Sequence, residues 1–234
     1  MKINHSRGKK NMFIASINGP QWFQMFDSVF QILFALVTLS ITFFSYKVFH
    51  FTKERKFKYF TLSFLLMALG YLTVSFSNLL IYLGVYDGVI SRLSEFNMAN
   101  SFFLTFILFM LVGYMLLIII SMNLKNKRLV ALLLSVILLF VVFSYQYFIK
   151  FHMISLLLLG FIALQFYDNY KQKRNINAGL VFASFYLLAF AEIFFLATPY
   201  MNSTYVLAHG LQLVGFGLLL SMLIKVLKHD GKKE

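Results

Sequence analysis

Apolar runs that are each long enough to cross a lipid bilayer as a helix dominate this chain. A membrane-spanning helix needs about 20 consecutive, mainly apolar residues. Seven runs approach or exceed this length: 22–46, 59–84, 99–122, 129–147, 149–168, 178–199 and 203–227. Tyr145, Gln146, Tyr147 and Lys150 separate the fourth run from the fifth and suit an interfacial turn. One helix through both runs would be too long for a single crossing. We therefore predict an all-α, polytopic fold with seven transmembrane helices.

The composition argues against a water-soluble domain. Apolar residues make up 60% of the 234 positions and charged residues only 12%, whereas a soluble domain carries about a quarter charged residues. A soluble fold of this size cannot hide so much apolar surface, so the lipid bilayer must cover the rest. We expect a multi-pass protein of the cell membrane.

Basic residues are concentrated in alternate connections between the runs. They lie at or after the ends of the first, third, fifth and seventh runs: Lys47, Lys53, Arg55, Lys56, Lys58, Lys125, Lys127, Arg128, Lys171, Lys173, Arg174, Lys225, Lys228, Lys232 and Lys233. Basic loops face the cytoplasm in membrane proteins, so the N-terminus is predicted outside and the C-terminus in the cytoplasm. The net charge of +13 then indicates anionic lipid at the cytoplasmic loops as a partner, and no nucleic acid.

Four basic residues near the N-terminus oppose this orientation. Lys2, Arg7, Lys9 and Lys10 would lie outside the cell. Translation that began at Met12 would remove all four, and the sequence leaves both starts open. The larger basic clusters on the other side still decide the predicted orientation.

The runs divide the chain into three parts. We expect an extracytoplasmic N-terminal tail over 1–21, a seven-helix transmembrane domain over 22–228 and a cytoplasmic tail over 229–234. Neither tail is long enough to fold as a separate domain. Any function is therefore expected in the helices or in a protein partner.

Two pairs of runs share short sequence matches. Residues 63–68 (SFLLMA) match 184–189 (SFYLLA), and residues 111–117 (LVGYMLL) match 213–219 (LVGFGLL). A duplication would explain both, with helices 1–3 repeated in parallel as helices 5–7 and helix 4 as a linker. This 3+1+3 plan is shared by small sugar transporters. Chance similarity between Leu- and Phe-rich helices is the alternative, and both remain open.

Polar side chains collect in the outer half of the predicted bundle. An ionisable residue at membrane depth is a candidate for function because burying it is unfavourable. Helical spacing places neutral polar residues on the same faces as the ionisable ones. The candidate ligand- or proton-binding residues are Glu192, His209, Gln212, Asp27, Gln31, Asn78 and Tyr71.

These residues allow two interpretations. The first is a polar pocket that opens outward, with Glu192 and His209 paired and Asp27 nearby, for a cation, a proton or a small polar ligand. The second is hydrogen bonding between helices that only stabilises the bundle. The sequence does not decide between them.

Several kinds of chemistry lack the residues they need. Lys225 is the only lysine of the seventh run and lies at its end, so a retinal Schiff base is not expected. The absence of cysteine excludes thiolate metal sites, and no His-x-x-x-His pair is present. His152 and His209 alone lie at a similar depth, as two haem ligands would. We predict no metal, no cofactor and no enzyme activity.

Two stretches carry a resemblance to known proteins: 44–60, which reads FSYKVFHFTKERKFKYF, and 208–216, which reads AHGLQLVGF. In these the chain resembles small seven-helix membrane proteins common in archaeal genomes. The resemblance implies a seven-helix fold and places His209 and Gln212 in a recurring pattern. It implies no activity.

The leading functional prediction is a membrane sensor or receptor-like module. The alternatives are a small solute or ion transporter of the 3+1+3 type and an accessory subunit of a membrane complex. No proline lies between Gln21 and Thr198, whereas transporters often use broken helices. This difference favours the sensor.

Overall fold

The computed structural model describes residues 23–82, 92–122, 124, 126–142 and 147–230. Regular secondary structure in these residues is entirely helical. The helices are α1 (Gln24–Thr52), α2 (Arg55–Tyr82), α3 (Arg92–Ser121), α4 (Lys127–Val142), α5 (Tyr147–Lys173), α6 (Ile176–Ala197) and α7 (Ser203–Asp230). The all-α prediction is confirmed.

Six of these helices are long and apolar enough to cross a membrane: α1, α2, α3, α5, α6 and α7. They indicate a multi-pass membrane protein. The remaining helix, α4, has 16 residues and is about 24 Å long, which is shorter than the hydrocarbon core of about 30 Å. The predicted tail over 1–21, the predicted turn at Tyr145 and Gln146, and residues 231–234 lie outside the described residues.

Two tight turns connect helices at the basic end of the bundle. Lys53 adopts a left-handed conformation with φ 54°, and its N–H donates to the Phe49 carbonyl at 2.8 Å. Arg174 repeats this arrangement with φ 46° and an N–H bond of 2.8 Å to the Tyr170 carbonyl. The Asn175 side chain then caps α6 by accepting from a backbone N–H at 2.7 Å. Each turn therefore reverses the chain within two residues.

Six helices close into a ring. Packing contacts join α1 to α2, α2 to α3, α3 to α5, α5 to α6, α6 to α7, and α7 back to α1, while α4 packs on α3 from outside. The ring interior is filled by fully buried side chains such as Phe34, Phe64, Phe185 and Phe216. The outer faces carry exposed large apolar residues such as Leu157, which is the pattern of a surface covered by lipid.

Two glycines allow close approach between neighbouring helices. A Cβ atom on Gly113 of α3 would lie 3.1 Å from the carbonyl oxygen of Ser63 on α2. A Cβ atom on Gly215 of α7 would lie 3.1 Å from the carbonyl oxygen of Ser184 and 3.0 Å from Leu188 Cγ, both on α6. Small residues at such crossings let helix backbones pack directly in membranes.

We expect Gly215→Val to destabilise the bundle by about 1–3 kcal/mol, the usual range for overpacking. The added carbons would collide with a backbone carbonyl, which cannot turn away as a side chain can. Unfolding of the purified protein in mixed detergent micelles measures the change. Gly210→Val is the matched control, because a Cβ atom there has no neighbouring atom within 4 Å. Equal effects of the two substitutions would contradict this explanation.

Candidate functional site

Asp27 is the centre of a buried polar network at one end of the ring. It lies in the first turn of α1 and is 2% exposed. Its Oδ1 accepts a hydrogen bond from the Tyr205 hydroxyl at 2.9 Å and lies 3.3 Å from His209 Nε2. Its Oδ2 accepts from Asn78 Nδ2 at 3.4 Å. One carboxylate therefore links α1 to both α2 and α7.

His209 connects its own helix backbone to Asp27. Its Nδ1 lies 2.9 Å from the Tyr205 carbonyl oxygen, which only accepts, so Nδ1 carries a proton. Its Nε2 lies 3.3 Å from Asp27 Oδ1, so the imidazole and the carboxyl group are close enough to share a proton.

A second carboxyl–imidazole pair joins α5 to α6. Glu192 Oε2 lies 2.5 Å from His152 Nδ1, and both side chains are buried. The His152 ring stacks on Phe195, with centroids 4.5 Å apart and planes 20° apart. The partner predicted from the sequence for Glu192 was His209, and this pairing is wrong, because α5 places His152 directly against the carboxylate. Glu192 still interacts electrostatically with His209.

The structure brings the predicted site residues to one end of the ring. Asp27, Asn78 and His209 meet in the first network, and Glu192 belongs to the second pair. Gln31, Tyr71 and Gln212 are buried at 8%, 2% and 7% exposure, near that same end.

Several buried polar atoms have no hydrogen-bond partner within the described part of the chain. They include Gln31 Oε1, the Tyr71 hydroxyl and Glu192 Oε1. A buried polar atom without a partner is unfavourable by about 1–3 kcal/mol. Such atoms in a folded protein call for an explanation, and a bound molecule is one.

Sequence reasoning missed two residues of the site. Tyr205 shares a helix face with His209 through a spacing of four residues, and this signal was available. For His152, the sequence suggests only the role of a haem ligand. Its depth matched that of Glu192, but no pattern along the chain indicates which helices become neighbours.

No group of three metal-ligating side chains occurs among the residues that the structure describes. The two histidines and two carboxylates are instead used in separate pairs. In each pair one carboxyl group lies next to one imidazole, an arrangement in which the two groups can share a proton.

No protein-family model matches the chain, and no curated protein or solved structure matches it either. The resemblance to small archaeal seven-helix proteins stays a prediction. The function therefore has to be argued from the geometry.

We expect Asp27→Ala to destabilise the protein by about 2–4 kcal/mol. The substitution leaves the buried Tyr205 and His209 donors and the half-buried Asn78 amide without this acceptor, and each unsatisfied buried group is unfavourable by about 1–3 kcal/mol before relaxation. Tyr205→Phe removes one hydrogen bond to Asp27 and leaves no unpaired hydroxyl behind, so its effect is expected near 1 kcal/mol.

A double-mutant cycle on unfolding in detergent measures how far these two effects depend on each other. We expect the double variant to be more stable than the sum of the single effects implies, by about 0.5–3 kcal/mol. Glu54→Ala is the control, because that exposed carboxylate pairs with an exposed lysine, Lys56. Strictly additive effects would show that the Tyr205–Asp27 bond does not stabilise the fold.

Proposed function

We propose that this protein is a seven-helix membrane sensor or receptor-like module whose responsive element is the pair of buried carboxyl–imidazole contacts. The observation that carries the proposal is the position of Asp27. A single carboxylate ties α1 to α2 and α7 while it shares one proton with His209. A change in the charge of Asp27 would therefore also change how α1 packs against α2 and α7.

The mechanism follows from what a proton does to this network. A proton added to the pair leaves both His209 and Asp27 protonated, so the acceptor charge that holds the Tyr205 hydroxyl and Asn78 is lost. The bonds between α1 and its neighbours then weaken, and helix packing changes. A ligand that alters the proton distribution has the same effect, because it needs only a different affinity for the two packings.

Seven crossings are supported by the direction of the helices. Phe102 of α3 contacts Phe76 near the end of α2, and Gly113 of α3 lies farther along, beside Ser63. The helix α3 therefore runs from the Asp27 end to the basic end, whereas α5 begins near the Asp27 end with His152. The chain between Ser121 and Tyr147, which includes α4, must return across the bundle.

The proposed orientation rests on charge. The turns at Lys53 and Arg174 lie at the end of the bundle opposite Asp27 and belong to the basic clusters. Positive loops favour the cytoplasmic side, which puts the polar network in the outer half and the N-terminus outside. Anionic lipid or a protein partner would bind the basic turns.

We expect the distance between the two basic turns to change with pH. The chain has no cysteine, so Lys58→Cys and Lys173→Cys provide the only two sites for spin labels, both exposed. Pulsed electron paramagnetic resonance in nanodiscs should show a shift of about 1–2 Å, typical of helix movements, between neutral and acidic pH. The shift should disappear in Asp27→Asn and persist in Glu54→Gln. A distance independent of pH in the folded labelled protein would refute the sensor proposal.

A transporter of the 3+1+3 type is the second candidate, and the pairing of contacts favours it. A duplication would make α1 equivalent to α5, α2 to α6 and α3 to α7. The contact between α1 and α7 is then equivalent to the contact between α5 and α3, and both contacts are present. The exchange also relates α1–α2 to α5–α6 and α2–α3 to α6–α7. Such a two-fold ring is how parallel repeats assemble in transporters.

Local geometry supports the same duplication. The left-handed residues Lys53 and Arg174 are 121 positions apart, which is the offset that aligns Ser63 with Ser184. The Ser63 carbonyl oxygen lies 3.1 Å from the Cβ position of Gly113, and the Ser184 carbonyl oxygen lies 3.1 Å from the Cβ position of Gly215. Chance similarity of composition does not predict equal backbone geometry at aligned positions.

Proton movement across proteoliposomes separates the two candidates. For the sensor we expect no uptake above that of protein-free vesicles when a potassium gradient drives protons inward, as reported by an enclosed pH-sensitive dye. For a proton-coupled transporter we expect uptake that is reduced at least about tenfold in Glu192→Gln. Uptake with that dependence would replace the sensor by the transporter.

A further inference from the structure

A closed chain of aromatic contacts encircles the axis of the ring; we call it the aromatic belt. Each consecutive pair of rings has centroids 4.5–5.8 Å apart. In order, the belt consists of Phe34, Tyr71, Phe106, Phe151, His152, Phe195 and His209, and it closes on Phe34. All six ring helices contribute to it.

The Glu192 carboxyl group lies within this belt. Its Oε2 contacts His152 of the belt. Phe195, which lies one helical turn from Glu192 on α6, is also a belt residue. Glu192 is 0% exposed in a ring whose outer faces are exposed, so its side chain points toward the axis. The belt therefore surrounds a carboxylate.

Four of the buried polar atoms that have no partner in the described chain belong to a belt residue or to a residue one helical turn from one. Glu192 Oε1 and the Tyr71 hydroxyl have none among the residues described. Gln31 Oε1, one helical turn from Phe34, also has none. Ser155 is a further case, because its hydroxyl lacks a bond of the kind that Ser184 makes to the carbonyl four residues earlier.

What these four atoms lack is a hydrogen-bond donor. Carboxylate and amide oxygens only accept, and the two hydroxyls can accept as well. A ligand that satisfies them must carry several N–H or O–H groups and, beside Glu192, a positive charge.

The surroundings favour one class of cation. Aromatic faces attract organic ammonium groups through cation–π interactions, whereas hard metal ions need a shell of oxygen ligands that a belt of rings does not provide. Phe216 contacts Phe34 and Tyr71 from the side of the basic end, and Phe23 contacts Tyr205 and His209 from the other side. Apolar rings thus cover the belt on both sides.

We propose that the aromatic belt and Glu192 form a binding site for a small organic ammonium ion. This inference rests on the proposed sensor function and names the ligand class of that same site. The ammonium N–H groups donate to Glu192 Oε1, the Tyr71 hydroxyl and Gln31 Oε1, and the rings of Phe34 and Phe195 face the positive charge. His209 belongs both to the belt and to the Asp27 network. Occupancy of the site therefore acts directly on the proton shared with Asp27.

Methylammonium chloride is the probe for this site. Thermal unfolding of the purified full chain in nanodiscs is measured against methylammonium concentration at constant ionic strength, with sodium chloride as the balancing salt. A ligand that binds only the folded state raises the unfolding temperature progressively as its concentration exceeds the dissociation constant. We expect such a rise with methylammonium and none with sodium alone.

The variants locate the effect. Glu192→Gln keeps the shape but removes the charge, and we expect the dissociation constant to rise at least about tenfold. Phe34→Leu removes one ring face, with an expected rise of about two- to fivefold. Phe185→Leu is the matched control, because Phe185 is equally buried but packs on Phe166 outside the belt, and its dissociation constant should be unchanged. If Glu192→Gln fails to fold, Tyr71→Phe replaces it, since it removes only the hydroxyl.

Three results would overturn the ammonium site. The first is an unfolding temperature that sodium raises as much as methylammonium does. The second is a Glu192→Gln or Tyr71→Phe variant that binds as well as the natural chain. The third is a Phe185→Leu variant that weakens binding as much as Phe34→Leu. The pH-dependent spin-label distance is measured without methylammonium. A pH response without methylammonium binding overturns this inference alone. Binding that Glu192→Gln abolishes, without any change in that distance, supports the site and overturns the sensor.

Discussion

The organisation of this bundle depends on keeping a buried carboxylate supplied with donors. A charged group inside a membrane protein is tolerated only when its hydrogen-bonding capacity is met. Asp27 achieves this with groups from two other helices, the Tyr205 hydroxyl, the His209 ring and the Asn78 amide. The three helices are therefore fixed at one end by a single side chain, whereas most other contacts in the ring are apolar and interchangeable. Removing that carboxylate would change which helix packings are favourable.

The second pair differs from the first in a way that fits a binding role. The Asp27 carboxylate uses both oxygens, one on each neighbouring helix. Glu192 uses only Oε2, and its other oxygen has no partner in the described chain. One carboxylate is thus satisfied by the protein, and the other has capacity left for a ligand. His209 lies against Asp27, and its ring also contacts Phe195, one helical turn from Glu192. A ligand bound at Glu192 would therefore act directly on the proton shared with Asp27.

The sequence was sufficient to locate the helices, but it does not show which helices pack against each other. Apolar runs predict the six helices that are long and apolar enough to cross a membrane, and the rarity of charged and amide groups at that depth identifies Asp27, Asn78, Glu192 and His209. Helical periodicity assigns a residue to a face but not to a neighbouring helix, so His209 was chosen for Glu192 where His152 is the partner. That choice depends on how α5 and α6 are rotated against each other, which packing across the whole ring determines.

The two halves of the ring, α1–α3 and α5–α7, meet along two lines of contact that differ chemically. Along α1 and α7 they are joined by Asp27 with Tyr205 and His209. Along α3 and α5 two phenylalanine rings, Phe106 and Phe151, contact each other. Aromatic packing is insensitive to pH, while the first line contains a shared proton. A change in acidity that acts on this proton would loosen the contact between α1 and α7 and leave the contact between α3 and α5 in place. The two halves would then rotate relative to each other about the Phe106–Phe151 contact.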